Sequence, residues 1–595
     1  MHTILKNTFG YDAFRAGQEE PIQCLLQGQN VFCVMPTGAG KSIIYQIPAL
    51  MGEGLSIVIS PLIALMQDQI SALQMLGVNA ATLNSTNSDD ERQEIWDGIK
   101  NGAVRLLYLS PEKLMMGNML EILKHYPIKL IAIDEAHCIS QWGPSFRPEY
   151  EMLMGLKQHF PNVPIAALTA SADEATRNDI IAKLFKGDVN TFISGFDRPN
   201  ISLNVEPKAN WKQQLIDYVH QKQNQSGIVY CLSRKKTEAA AAALNQAGFP
   251  ALAYHAGMDK DVRARNQTRF VKEDNLIMCA TIAFGMGIDK PDVRFVFHTD
   301  LPSSMETYYQ EFGRGGRDGD PADAYMLYGL DDIRMRRMFI AQGRTSDAEQ
   351  KRREYQRLDT LIAYCETPNC RRQSLLAYFS DSCEPCNNCD ACNNPSETQE
   401  GTREGQMALS AILRTGQKFG QTHIIDVLVG ANTARIRQFA HEELPTWGVG
   451  KAHSKPQWRS IIRQLVSAGF IHLDTSEFGG LSMTAKGKAL LKGENNFSYH
   501  PTRLKAKSEN KSRKQLSPET DLEPHQLDVF ERLKSLRNTL ARQSNVPAYI
   551  IFNNKSLRDM VEKTPQTLED FADVHGVGQA KIKKFGEIFL KEINT

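Results

Sequence analysis

The sequence contains no apolar run able to cross a bilayer: the longest, Leu55 to Met66, holds 12 residues and is interrupted by Ser56, Ser60 and Pro61, where about 20 are needed. No membrane role is expected. Net charge is lacking too, because 69 Lys and Arg against 68 Asp and Glu leave +1. No whole-chain positive field exists, so any affinity for nucleic acid must come from cations gathered locally. The start, Met1-His2-Thr3-Ile4-Leu5-Lys6-Asn7, has no cationic stretch followed by an apolar one, so nothing signals export and a reducing, cytoplasmic setting is expected. Cysteine is sparse except in one place, since six of the 11 fall between Cys365 and Cys392. In a reducing setting such clustering favours a bound metal over disulfides.

What is present is ordinary globular composition, 42% apolar and 23% charged, over a length that calls for roughly three to six domains. Short apolar runs alternate with stretches of helical period between residues 25 and 340, as at Leu55–Ile59, Val104–Leu109, Leu130–Ile133, Ile165–Leu168, Gly227–Cys231, Leu276–Ala280 and Arg294–Phe297. That alternation predicts parallel sheets covered by helices. A break at Asp197-Arg198-Pro199-Asn200 divides them into two α/β domains with a cleft between. Beyond Arg344 come a charged helix pair around the cysteines, then helical segments ending in a hairpin signal at Phe478-Gly479-Gly480, which together suggest a winged helix. Residues 501–514 carry Arg503, Lys505, Lys507, Lys511, Arg513 and Lys514 against Glu509 and form a basic tether. The last 70 residues have helical periodicity and almost no strand signal.

Three motifs carry chemistry. Pro36-Thr37-Gly38-Ala39-Gly40-Lys41-Ser42 comes after the apolar run Val31–Met35 and opens a helical stretch. Glycines there let backbone N–H groups close around phosphate oxygens, while Lys41 reaches the β- and γ-phosphates and the Ser42 hydroxyl ligates magnesium. Met35 stands where the strict phosphate-loop pattern has its first glycine. Asp134-Glu135-Ala136-His137 ends the apolar strand Ile128–Ile133, at the carboxyl edge where such sheets bind ligands. Asp134 would hold magnesium through water and Glu135 would position and deprotonate the attacking water. In the second domain, Gln310-Glu311-Phe312-Gly313-Arg314-Gly315-Gly316-Arg317 places two arginines on one face, from which Arg317 could reach a γ-phosphate with Arg314 and Gln310 in support. Trp142, Phe146 and Arg147 stand soon after the carboxylates and offer stacking surfaces for bases, worth roughly 1–3 kcal/mol each. Cys370, Cys386, Cys389 and Cys392 have the spacing of a closed four-thiolate zinc site with a structural role, and Cys365 and Cys383 are surplus.

These markers appear in order with Phe9-Gly10-Tyr11, Phe14-Arg15, Gln18, Ser60-Pro61-Leu62, Leu168-Thr169-Ala170, Tyr254-His255-Ala256-Gly257 and Ala283-Phe284-Gly285-Met286-Gly287-Ile288-Asp289-Lys290-Pro291. The chain thereby resembles RecQ-family DNA helicases of superfamily 2 over essentially its whole length. The resemblance implies that Tyr11 stacks on adenine, that Gln18 and Arg15 read its edge, and that Asp289 joins Thr37, Gly38, Gly40 and the rest of the loop in holding the nucleotide. It implies two RecA-like domains at 1–200 and 201–342, a helical hairpin and zinc-binding subdomain at 343–400, a winged helix at 401–492, a basic linker at 493–523 and an HRDC domain at 524–595. Within the winged helix, Ser460–Gly469 would be the recognition helix and Asp474–Met483 a short wing. The departures are Pro144-Ser145 in the aromatic loop, where His-Asp is common, Ala39 for a glycine, Ser171 for a threonine, and Phe312 and Gly315 in the arginine motif.

The activity so implied is ATP-dependent 3′-to-5′ DNA unwinding, with ATP, magnesium and zinc as cofactors, in recombination, repair, replication-fork processing and the SOS response. Its partners would be single-stranded, duplex and branched DNA, with single-stranded-DNA-binding and recombination proteins. The chain would act as a monomer at the nucleoid in a bacterial cytoplasm. Two other readings compete: an RNA helicase or a translocase that does not unwind, and a DNA-binding scaffold without catalysis.

Overall fold

The computed structural model describes residues 1–595 except 85–86, 141–147, 171, 173, 285–289, 344–347, 396–397, 474–479, 502–521 and 545. Its first sheet has seven parallel strands: β1 (Val31–Val34), β2 (Leu55–Ile59), β3 (Ala80–Thr82), β4 (Leu106–Leu109), β5 (Ile128–Ile133), β6 (Ile165–Thr169) and β7 (Asn190–Ile193). They lie in the order β3-β4-β2-β5-β6-β1-β7. The second sheet has six: β8 (Ile201–Pro207), β9 (Ser226–Tyr230), β10 (Ala251–Tyr254), β11 (Ile277–Ala280), β12 (Val293–His298) and β13 (Ala322–Tyr328), in the order β10-β11-β9-β12-β13-β8. Inner strands such as β1, β2 and β6 are buried along their whole length, as expected where helices cover both faces of a parallel sheet.

The order matters for chemistry because β5, β6 and β1 are neighbours. Register sets Val34 beside Thr169 and Ile133 beside Ala167, so the loops that leave these three strands emerge together at one carboxyl edge, which is where ligands bind in such folds. Strands β3, β7, β8, β10 and β13 were not anticipated from apolar runs. The first four of them lie at sheet edges: β7 is largely exposed and β8 carries Asn204 and Glu206, so neither reads as a hydrophobic run.

Helices Leu330–Gln342, Ala348–Glu366 and Arg371–Tyr378 come after the second sheet and lead to the short helix Asp390–Asn393. Next come helices Thr402–Arg414, Gln421–Val429 and Lys455–Ser467 with the antiparallel pair Ile471–Leu473 and Leu481–Met483, a winged-helix arrangement; part of the expected wing, 474–479, lies outside the described residues. The helix expected at Ser460–Gly469 begins at Lys455 instead, behind a capping box of Ser454 and Gln457 and an early proline. Its residues 460–466 are buried, with Arg463 paired to Glu366 at 2.5 Å. This stretch is therefore core, and only the first turn, around Lys455 and Arg459, faces outward.

One apolar cluster runs through the first sheet, the second sheet, the cysteine hairpin and the winged helix. The C-terminal helices, from Pro524–Gln543 to Gln579–Ile593, instead have a core of their own on Phe530, Phe552, Phe571, Phe585 and Phe589. They nevertheless sit against both α/β lobes. The Gly576 amide donates to the Gly10 carbonyl at 2.8 Å and Lys6 lies 3.7 Å from Asp573 on the first lobe, while Arg558 pairs with Asp320 at 3.4 Å on the second. A Cβ at Gly10, whose φ is +73°, would stand 2.3 Å from the Val577 nitrogen, so this approach requires glycine.

Trp458 is fully buried in the winged helix and its indole N–H donates to the Gly450 carbonyl at 2.8 Å. Trp458→Ala is expected to destabilise the winged helix by about 3–5 kcal/mol, measured by urea unfolding and hydrogen exchange over residues 402–491. A loss under about 1 kcal/mol would contradict this packing.

Candidate functional site

The phosphate loop turns from β1 into helix Lys41–Leu50. Gly38 and Gly40 have φ of +83° and +79°, a region only glycine enters readily, and a Cβ at Gly40 would stand 2.6 Å from Gln18 Nε2. The loop's carbonyls are held from outside. Arg15 donates to the Gly38 carbonyl at 2.5 Å, and Gln18 Nε2 donates to those of Ala39 and Gly40 at 3.0 and 3.1 Å. Gln18 Oε1 in turn accepts from the Arg15 amide at 2.8 Å. The two residues expected to read a base thus also brace the loop. Lys41 Nζ is 3.2 Å from the Met35 carbonyl and 3.4 Å from that of Pro36.

Strand β5 delivers Asp134 and Glu135 beside this loop. Glu135 has a left-handed backbone with φ +51°, a conformation costing roughly 1–2 kcal/mol in a residue with a Cβ and concentrated at functional sites. Its amide donates to Asp134 Oδ1 at 3.0 Å. His137 Nδ1 lies 3.3 Å from Glu135 Oε2 and 2.9 Å from Thr169 Oγ1. The imidazole therefore links the carboxylate motif to the end of β6, a part that sequence reasoning did not assign.

From the second lobe, helix Met305–Phe312, capped by Ser304, runs into the loop with Arg314 and Arg317. That loop touches the phosphate loop directly, because Thr37 Oγ1 donates to the Gly313 carbonyl at 2.9 Å. One cavity of about 650 Å³ joins these parts. Lys41, Ser42, Asp134 and Glu135 line it from one lobe and Gln310, Arg314 and Arg317 from the other, and Tyr11, Arg15, Gln18, Thr37, Gly38 and Gly40 also line it. Asp289, Trp142, Phe146 and Arg147 lie outside the described residues.

The C-terminal helices supply a further wall. Tyr549, Asn553, Lys555 and His575 line the same cavity, and the His575 ring lies 5.4 Å from that of Tyr11, with burial and then Lys555 holding its pKa down. Nothing in their spacing pointed there, since the contact joins residues more than 500 positions apart. The sequence suggested a tethered accessory module; the structure adds a wall of this cavity.

The sulfurs of Cys370, Cys386, Cys389 and Cys392 all lie within 4.8 Å of one another. Tetrahedral thiolate coordination at about 2.3 Å needs sulfurs about 3.8 Å apart, so the group fits zinc. Amide N–H groups of Cys386, Asn388 and Cys392 point at the sulfurs of Cys370, Cys386 and Cys389, each at 3.4 Å. Burial would raise the Cys370 pKa, yet the amides of Cys386 and Gln373 outweigh it and bring the thiol down to about 7. Cys365 and Cys383 stand outside the group, and burial pushes the Cys365 thiol up. Arg371 braces the knuckle with a two-pronged bond to Asp390, at 2.6 and 2.9 Å.

Comparison with known proteins covers the chain in sequence. Residues 15–180 match the DEAD/DEAH box helicase model, 209–319 the helicase conserved C-terminal domain, 330–393 RecQ zinc-binding, 395–508 the RQC domain and 526–593 the HRDC domain. The chain is 42% identical over 590 residues to the ATP-dependent DNA helicase RecQ of Haemophilus influenzae, covering 99% of this chain and 94% of that protein. It is 38% identical over 597 residues to the protein of that name from Bacillus subtilis, covering 100% and 98%. To the RecQ-like DNA helicase blm-1 of Caenorhabditis elegans it is 33% identical over 650 residues, covering 100% and 65%. No helix among the described residues is long and apolar enough to cross a membrane.

A chain ending at residue 501 lacks the wall formed by Tyr549, Asn553, Lys555 and His575 and keeps the other cores intact. Its nucleotide Kd is expected to rise about threefold, the size of one partly exposed charge contact at about 0.5–1 kcal/mol, in titration with a fluorescent ATP analogue. An unchanged Kd would remove those residues from the site.

Proposed function

The chain belongs to the RecQ family of ATP-dependent DNA helicases, and from that premise we propose how its residues divide the work. Lys41 holds the β- and γ-phosphates against the loop amides, and Tyr11, Arg15 and Gln18 take the adenine, with Asp289 on the second lobe completing the nucleotide contacts. Ser42 and Asp134 would hold magnesium, which would supply charge neutralisation to the phosphates. Glu135 orients the attacking water and takes its proton. Arg317, with Arg314 and Gln310 behind it, meets the charge that develops on the γ-phosphoryl group. One observation carries this assignment: a single cavity is lined by Lys41 and Glu135 from one lobe and by Arg314 and Arg317 from the other. Hydrolysis at such a seam alters what holds the lobes together.

Single-stranded DNA would lie across both lobes, with Trp142, Phe146 and Arg147 stacking on bases and gripping phosphate. ATP-driven closure and reopening would then move the chain 3′ to 5′ along that strand while the winged helix grips duplex phosphates. The domain boundaries read from the sequence, the monomeric state, the action on branched DNA in recombination, repair and fork processing, and contacts with single-stranded-DNA-binding protein in a bacterial cytoplasm belong to the same proposal. Cys370, Cys386, Cys389 and Cys392 would hold zinc, whose closed shell supplies folding energy to the hairpin rather than catalysis.

Lys41→Ala is expected to abolish DNA-stimulated ATP hydrolysis and unwinding with DNA binding retained, and Arg317→Ala to lower kcat by about 10³-fold or more with nucleotide still bound. A native chain that binds DNA without hydrolysing ATP, so that Lys41→Ala changes nothing, would leave only a scaffold, and equal strand displacement on matched RNA and DNA forks would favour the RNA-helicase reading. Elemental analysis should return one zinc per chain in the native protein and in Cys383→Ser, and none in Cys389→Ala. A chain purified without zinc, or losing it in Cys383→Ser, would overturn the ligand set.

A further inference from the structure

The connection between the two sheets and the start of β8, residues 196–203, are gripped by the cysteine hairpin. Asp381 accepts the Phe196 amide at 2.8 Å, and the rings of Phe196 and Phe379 stack with centroids 4.4 Å apart. Arg372, next but one after Cys370, donates to Asp197 Oδ1 and to the Arg198 carbonyl, both at 2.6 Å, and to the Ile201 carbonyl at 2.5 Å. Asn388, next to Cys389, donates to the Pro199 carbonyl at 3.1 Å and accepts the Leu203 amide at 3.2 Å. The connection between the lobes is thus pinned along its backbone by residues interleaved with the candidate metal ligands.

The Arg198 side chain reaches the opposite way. It is 8% exposed and donates to four carbonyls: Thr37 at 2.7 Å and Gly313 at 3.0 Å through one terminal nitrogen, and Gly315 at 2.8 Å and Gly316 at 2.9 Å through the other. Thr37 belongs to the phosphate loop and the three glycines flank Arg314 and Arg317. No carboxylate accepts from it in these bonds, and burial pushes its pKa down to about 10. A buried guanidinium on neutral acceptors is a costly arrangement, and its planar fork suits fixing several acceptors at set separations.

We propose that Arg198 is a positioning residue for hydrolysis: pinned from behind by Arg372 of the cysteine hairpin, its guanidinium sets the separation between the phosphate loop and the loop that carries Arg314 and Arg317. This rests on the assignment of the cavity as the ATP site. It makes the hairpin a support of the catalytic seam as well as a fold element, since the connection from the cysteine hairpin to the loop with Arg314 and Arg317 passes through two arginines.

Arg198→Lys keeps the charge and loses the fork. In the full-length protein it is expected to lower DNA-stimulated kcat by about 10- to 100-fold, the scale of a displaced catalytic group, while KM for ATP changes less than about threefold and zinc content and single-stranded DNA binding stay native. Combined with Arg317→Ala it should add little, because both act through one group. A kcat within twofold of native, an effect confined to KM, or full additivity with Arg317→Ala would overturn the proposal. Arg372→Lys provides an independent test should Arg198→Lys fail to fold: it should reproduce the selective kcat loss at native zinc content and speed hydrogen exchange across 196–203, and native exchange there would refute the linkage. A wild-type chain without DNA-stimulated hydrolysis would instead sink the ATP-site assignment itself.

Discussion

A loop shaped to turn its amide N–H groups inward around phosphate turns its carbonyls outward, where protein donors can take them as water is partly excluded. Much of the hydrogen bonding around the cavity serves that purpose. Arg15 and Gln18 arrive from the N-terminal segment to take Gly38, Ala39 and Gly40, and Arg198 arrives from the connection between the lobes to take Thr37. The loop with Arg314 and Arg317 has the same need, with carbonyls at Gly313, Gly315 and Gly316 that Arg198 also satisfies. Two loops from different sheets share one donor, so the distance between them is constrained by hydrogen-bond geometry. The parallel sheets bring the loops to one edge; the shared guanidinium ties them together there.

The C-terminal helices meet the lobes on different terms. Lys6 and Asp573 are 36% and 77% exposed, and Arg558 and Asp320 about a fifth exposed each, so each pair is worth roughly 0–1 kcal/mol. Their own phenylalanine core makes the module self-sufficient. The module meets the first lobe through Met75 and the Gly10 backbone as well as through an ion pair, and so walls the cavity without sharing a core with either lobe.

How much of this could be read in the sequence divides along physical lines. Runs buried on both faces, such as Leu55–Ile59 and Ile165–Leu168, are legible because nothing polar interrupts them, and the motifs after β1 and β5 are legible because their chemistry restricts residue choice locally. Edge strands escape notice because one side meets solvent and tolerates Asn204 or Glu206. The helix at Lys455–Ser467 is legible as a helix, but the burial of its second half depends on Glu366 and His500 approaching from distant segments. Arg198 is visible only as part of an Asp-Arg-Pro-Asn break. A hinge and a polar anchor look alike in one dimension, and the anchor declares itself only when its four acceptors, 115 to 161 residues away, are in place.

The carboxylate motif is tightly joined to the residues immediately downstream. Ala136, His137, Cys138 and Ile139 form a wholly buried turn, and Ser140 donates to Asp179 at 2.6 Å. His137 is fixed between Glu135 and Thr169, and the left-handed backbone of Glu135 leaves little slack before it. Trp142 stands only seven residues after Glu135. A close-packed turn has few soft degrees of freedom and transmits strain, so a displacement of the aromatic stretch beyond it would have Glu135 and its imidazole partner as its nearest outlet. Of the two sequence departures in that stretch, Pro144 removes a backbone donor and restricts φ, and Ser145 replaces a carboxylate with a hydroxyl. Both alter the chain beyond the turn and leave the turn itself, with its buried imidazole bridge, chemically complete.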